Sequence, residues 1–116
     1  MRRNKYGAKK VIVDGIRFDS KHEARCYQDL KLLEHAGKIS ELLLQVPFTL
    51  TCNDKPLVIR SERYPNGRKI KYIADFMYFD EVARETIIAD AKGYRTKDYK
   101  LKRAIMETMG FDIVEL

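Results

Sequence analysis

The chain reads as an α/β protein of α+β-like character, a mixed sheet with helices packed on it. Three observations predict this. Residues 70–79 and 87–91 alternate with the two-residue period of strands. Segments 20–36 and 96–109 instead open on helix-start signals and carry apolar residues three and four apart. A length of 116 residues, 45% of them hydrophobic, is that of one domain with one core and no room for a regulatory module.

Residues 1–17 form a basic N-terminal arm and a small hairpin, and 18–116 a single domain. In the arm, Arg2, Arg3, Lys5, Lys9 and Lys10 precede the first acid, Asp14. They are either a solvated tail or a phosphate-contacting arm. Val11 to Phe18 alternates around Asp14-Gly15, a two-residue turn signal, and predicts the hairpin. Ser20-Lys21-His22-Glu23 is a capping box that opens a helix, with Cys26, Tyr27, Leu30, Leu33 and Ala36 as its apolar stripe and Gly37 as its stop. Glu41 to Thr51 reads as a strand, and Pro47 gives it an edge position or a bulge. Leu57-Val58-Ile59 continues or pairs with the sheet. Arg60 to Lys69, built around Tyr64-Pro65-Asn66-Gly67, is a basic projecting loop.

Two central strands come next. Alternation puts Ile70, Tyr72, Ala74, Phe76 and Tyr78 on one face of the first and Ile73, Asp75, Met77 and Phe79 on the other. In the second, Ile87, Ala89 and Ala91 oppose Thr86, Ile88, Asp90 and Lys92. Thr96 or Asp98 caps a last helix over Tyr99 to Met109, with Leu101, Ile105 and Met109 as its buried face. Phe111 to Leu116 closes the chain as a short strand. The Leu42-Leu43-Leu44 run and this last strand suit a core or an interface equally.

Composition narrows the classes of function. No apolar run approaches the length of a membrane span, and the charged start Met1-Arg2-Arg3-Asn4-Lys5 leads into no apolar signal segment. Cys26 and Cys52 lack metal-ligand spacing and read as reduced thiols, so a cytoplasmic protein is expected. With apolar runs this short no membrane is expected as partner, and the net charge of +6, from 23 Lys plus Arg against 17 acids, favours a polyanionic partner without naming one. His22 and His35 stand without a second zinc ligand at a usual spacing and take no role.

Asp75 and Asp90 carry the chemistry. A carboxylate buried in an apolar strand costs several kcal/mol unless a cation, a metal or good donors meet it. Two on neighbouring strands call for a common explanation, and a divalent metal supplies one. Hard cations take oxygen ligands and keep exchangeable waters, which phosphodiester hydrolysis needs. Asp75 and Asp90 are the expected ligands, with the backbone carbonyl of Ala91 as a third. Lys92 orients the attacking water or stabilises transition-state charge. Glu23 completes the metal site from the helix, unless its carboxylate is only the returning half of the capping box at Ser20.

At these residues the chain resembles the PD-(D/E)xK nuclease superfamily. The motif is carried by the helical Glu23, by Ala74-Asp75 and by Asp90-Ala91-Lys92, followed by a helix and a strand. Ala74 stands in place of the eponymous proline and Asp90 in place of the commoner Glu. The resemblance implies a restriction-endonuclease-like core over residues 18–116: a helix, an antiparallel three-stranded meander, a helix and a final strand. Small phage-encoded junction-resolving endonucleases look most similar. Likeness to them implies an Mg²⁺-dependent endonuclease, with Mn²⁺ able to substitute, that cuts branched or Holliday-junction DNA as a homodimer, in the host cytoplasm if phage-encoded.

Basic residues flank the motif. Arg95, Lys97, Lys100, Lys102 and Arg103 lie just beyond it with only Asp98 opposing, either as a solvated face or as a DNA backbone contact. Lys100 is also a candidate auxiliary catalytic or phosphate-binding group. Arg60, Arg63, Arg68 and Lys69 form a second DNA-contacting element, without the spacing of a base-reading motif. Two alternatives stay open: a non-catalytic nucleic-acid-binding protein, and a different phage nuclease such as a nickase or a replication or packaging enzyme.

Overall fold

A computed structural model gives the structure of the protein and describes residues 10–91 and 95–116. The elements run β1 (Val11–Val13), β2 (Ile16–Phe18), α1 (Lys21–His35), β3 (Ile39–Thr49), β4 (Thr51–Cys52), β5 (Lys55–Pro56), β6 (Val58–Ile59), β7 (Arg68–Lys69), β8 (Lys71–Asp80), β9 (Glu85–Asp90), α2 (Lys97–Thr108) and β10 (Ile113–Glu115). The main sheet has the order β10-β9-β8-β3. Its β3–β8 and β8–β9 pairs are antiparallel and β9–β10 is parallel, so the sheet is mixed as expected. Three two-stranded hairpins, β1–β2, β4–β5 and β6–β7, stand apart from it. Among the described residues no helix is long and apolar enough to cross a membrane.

Local chemistry sets these bounds. Ser20 accepts the Glu23 N–H at 3.1 Å and Thr96 the Tyr99 N–H at 3.0 Å, each side chain satisfying a donor that its helix leaves over. Asp14 and Gly15 both take positive φ, 53° and 75°, as the tight β1–β2 turn requires. Pro47 lies in β3, an edge strand of the sheet.

Two apolar clusters hold the sheet and helices together. Phe18, Ala24, Tyr27, Leu30, Phe76 and Ala89 pack in the α1 cluster. Leu50, Tyr72, Ala74, Ile88, Met106 and Ile113 pack in the α2 cluster. β8 therefore changes allegiance at Asp75, Tyr72 and Ala74 joining one cluster and Phe76 and Tyr78 the other. Plain alternation expected all four to share a face. At the same level of β3, Gln45 takes φ 52° between the Leu44↔Phe76 and Val46↔Ala74 pairs.

Helical spacing misplaced three residues. Leu33, Ala36 and Leu101 are exposed, and Met106, absent from the expected stripe, is fully buried. The buried residues of α1 end at Leu30, and in α2 Met106 alone is buried. Only one turn or two of each can be covered, and α2 is rotated so that Met106 faces inward. Both cysteines are free thiols, Cys26 buried and Cys52 exposed.

Candidate active site

The β8–β9 ladder pairs Phe76 with Ala89, and that register carried one step further sets Asp75 opposite Asp90. There the main-chain ladder gives way to side chains. The Asp75 N–H donates to Asp90 Oδ1 at 2.8 Å, and the Ala91 N–H donates to Asp75 Oδ2 at 2.9 Å. A buried N–H must find an acceptor, and an ionised carboxylate is a strong one. The reciprocal bonds hold both carboxyl groups across the gap between two strands. Asp75 is 2% and Asp90 0% exposed, so Asp75 is no strand-end residue reaching solvent.

On the other side of β8, Gln45 breaks its own ladder at the same level, and its Nε2 donates to Asp75 Oδ1 at 3.3 Å. Its left-handed backbone costs about 1–2 kcal/mol for a residue with a Cβ. Such strain recurs where function demands a particular geometry. From α2, the Tyr99 hydroxyl donates to Asp90 Oδ2 at 3.4 Å. Sequence pattern assigned neither residue a role at the carboxylates. The available signal for Gln45 was a lone amide between Leu44 and Val46 in an apolar strand.

Glu23 arrives from the first turn of α1 and is 4% exposed. Its Oε1 accepts the Asp19 N–H at 3.1 Å, so the carboxylate reaches one residue past Ser20, where the capping box would have ended it. It also hydrogen-bonds the Asp75 side chain. Burial, then that bond and the Asp75 charge, raise its pKa to about 7, against the pull of the Asp19 N–H. Near neutral pH Glu23 therefore keeps its proton about half the time and can donate it to Asp75. The same negative field reaches Cys26 one turn on, whose thiol is pushed up by burial first and then by Asp29, Asp75 and Glu23. That thiol stays protonated and inert.

Glu23 and Asp75 touch, and Asp90 is tied to the Asp75 main chain. Among the described residues no group of three or more His, Cys, Asp or Glu side chains is arranged to hold a metal ion. Mg²⁺ ordinarily takes one or two carboxylates and fills its remaining positions with water and phosphate. A buried pair of hard oxygen donors whose mutual repulsion a cation would relieve fits that need. Ala91, expected to offer its carbonyl, lies buried beside the pair with its N–H on Asp75. Lys92 lies outside the described residues, as do Arg2, Arg3, Lys5 and Lys9.

The remaining cations divide into two kinds. Lys10, Arg60, Arg63, Arg68, Lys69, Lys97 and Lys100 are exposed. Arg63 and Arg68 lie over the Tyr64 ring, 5.6 and 5.5 Å from its centroid. Arg95 and Arg103 instead converge on Glu115, the Arg95 Nε at 2.9 Å, and Arg103 also donates to the Ile113 carbonyl at 3.3 Å. These two arginines fasten the start and middle of α2 to β10. Lys102 faces Asp98 at 3.5 Å.

Fold and site together define a mixed-sheet α/β protein with acidic side chains buried where its central strands part. Residues 3–115 match the family described as Protein of unknown function (DUF1064), and the chain belongs to that family. No curated protein and no solved structure matches it.

Proposed function

We propose that this protein is a metal-dependent endonuclease that hydrolyses DNA phosphodiester bonds. The observation that carries the reading is the buried Glu23–Asp75 carboxyl pair, with Asp90 locked to the main chain of Asp75. A structural role would be served as well by amides, which also offer an oxygen to the buried N–H groups of Asp75 and Ala91, without the cost of gathering three buried acids. The PD-(D/E)xK pattern of Glu23, Asp75 and Asp90-Ala91-Lys92 supports the same conclusion. So does the chain order of α1, antiparallel β3, β8 and β9, then α2 and β10.

Glu23 and Asp75 would hold the cation, and Asp90 would hold Asp75 in place and offer a further oxygen. Mg²⁺, or Mn²⁺ in its stead, supplies Lewis acidity and a water of lowered pKa when bound. The Asp75 carboxylate is fixed by the Ala91 N–H and the Gln45 amide, so little reorganisation is left for the moment of reaction. Lys92, next in sequence to Ala91, is assigned the orientation of the attacking water. Exposed Lys97 and Lys100 neutralise the backbone of the bound strand. The resemblance to junction-resolving endonucleases narrows the substrate to branched DNA and the assembly to a homodimer, one site serving each cut strand.

The test is cleavage of a labelled four-way junction and a matched linear duplex in Mg²⁺, Mn²⁺ or EDTA, with Asp75→Asn and Asp90→Asn alongside. Metal-dependent cutting of the junction, lost in both variants while DNA binding persists or strengthens, is the expected result. Normal cutting by both variants refutes the site. Cutting of both substrates keeps the nuclease and discards the junction preference. Tight binding without cutting in any metal leaves a non-catalytic nucleic-acid-binding protein.

A further inference from the structure

A groove of about 960 Å³ runs between the β6–β7 hairpin and α2, over the start of β8. Its floor is apolar and open to solvent, Ile59 being 60%, Ile73 51% and Leu101 63% exposed. Its rim is basic, with Arg68, Lys69, Lys71 and Lys102 against one lining acid, Asp98. Asp98 is paired to Lys102 at 3.5 Å, so the groove keeps a net positive charge. Tyr64, beneath the Arg68 guanidinium, holds that cation at the rim.

We propose that this groove binds a single-stranded polynucleotide, with phosphates on Arg68, Lys69 and Lys71 and unstacked bases on Ile59, Ile73 and Leu101. The choice of nucleic acid rests on the nuclease reading above, and the choice of a single strand rests on the groove. A duplex turns phosphates and base edges outward and buries its base faces in the stack, so an apolar floor gains nothing from it. A single strand exposes base faces that pack on apolar and aromatic groups, while its backbone tracks a basic channel. A second copy of this chain would set one basic rim against another across a two-fold axis, like charge facing like.

The groove also shares two elements with the site. Ile73 precedes Asp75 by two residues on β8, and Leu101 lies two beyond Tyr99, the hydroxyl donor to Asp90, on α2. A strand in the groove thus runs along the same two elements that carry the site. The substrate this selects is DNA with a single-stranded arm beside the scissile bond, such as a flap or a splayed branch.

Fluorescence anisotropy in EDTA tests this with a labelled single strand of about 20 nucleotides, longer than one such site, and the matching duplex. The variant is Ile73→Thr with Leu101→Gln, two exposed positions given residues that keep strand and helix propensity. Wild type is expected to bind the single strand more tightly than the duplex. The variant should lose about tenfold or more on the single strand and less than about twofold on the duplex, as loss of base packing implies. Equal loss on both probes, or no loss on either, overturns the proposal, and so does a change in sedimentation that marks the floor as a self-association face. Circular dichroism melting of the variant verifies that it is folded. Because cleavage plays no part in EDTA, tight single-strand binding by a protein that cuts nothing in Mg²⁺ would refute the nuclease and leave the groove standing. Metal-dependent cutting with unselective binding would do the reverse.

Discussion

Glu23→Gln should make the protein more stable and inactive at once, by an amount that grows with pH. A carboxyl with an ordinary pKa of 4.5 in the unfolded chain and about 7 in the fold binds its proton more tightly when folded. Its contribution is therefore fully favourable below about 4.5 and is lost as pH rises through 7. At 1.36 kcal/mol per pKa unit, the cost of ionising Glu23 inside the fold comes to about 3 kcal/mol at pH 8 and above. Glutamine has nearly the same shape, carries no charge at any pH, and can accept from the Asp19 N–H while donating to Asp75. Wild type should thus lose stability between pH 5 and pH 8 in EDTA through this group, and the variant should not. For a domain of this size the gap amounts to about 10 °C in melting temperature at pH 8 and little at pH 5. Urea and thermal melts at pH 5, 6, 7 and 8 read it directly. Adding Mg²⁺ at pH 8 should raise the melting temperature of wild type and leave the variant unmoved, because only the charged pair has a reason to bind it. Parallel pH curves for the two proteins would refute the electrostatic account of the site. Equal Mg²⁺ stabilisation of both would remove Glu23 from the cation site while leaving the account of its burial intact.

Two more substitutions probe the frame of the site and of the groove. Gln45→Gly removes the Cβ from a left-handed position, which offsets the lost amide bond to Asp75, so stability should change by less than about 1 kcal/mol in urea while cleavage falls. A large loss of stability would show that the amide is structural. Gly67→Ala places a Cβ 2.8 Å from that of Val58 at φ 95°, and should open the β6–β7 hairpin, seen as faster amide exchange at Lys69 with α1 unaffected.

Much of this architecture was legible because local signals and the fold agree. Asp14-Gly15 made its hairpin, Ser20 and Thr96 capped their helices, and the alternation of 70–79 and 87–91 produced the two central strands. Burial of Asp75 and Asp90 followed from the apolar residues around them. What local pattern could not carry was relative placement. Met106 is buried and Leu101 exposed because α2 is turned by its contacts with β8 and β10, including the grip of Arg95 and Arg103 on Glu115. Helical spacing fixes which residues share a stripe, but not which stripe meets the sheet. Gln45 was hidden for a related reason: glutamine is not a left-handed residue by habit, and its bond to Asp75 is a tertiary one that local pattern does not carry.

Three departures from regular sheet structure meet at one level. β3 skips its Gln45 pairing, β8 changes cluster at Asp75, and the β8–β9 ladder passes into carboxylate bonds at Asp90. Each gives up a main-chain bond or adds backbone strain, and each is worth about 1 kcal/mol. Gln45 lies on the exposed edge strand and the other two at the buried middle of the sheet, and all three share Asp75 as a partner. If they serve only packing, an amide at 75 keeps an oxygen for the Ala91 N–H, and cleavage should survive the change. If they serve a site, the same change should keep the fold and abolish cleavage. Asp75→Asn therefore separates the two: a folded protein that still cuts would mean that the irregular strands are an accident of packing, and a folded protein that no longer cuts would mean that the sheet departs from regularity there for the sake of the carboxylates.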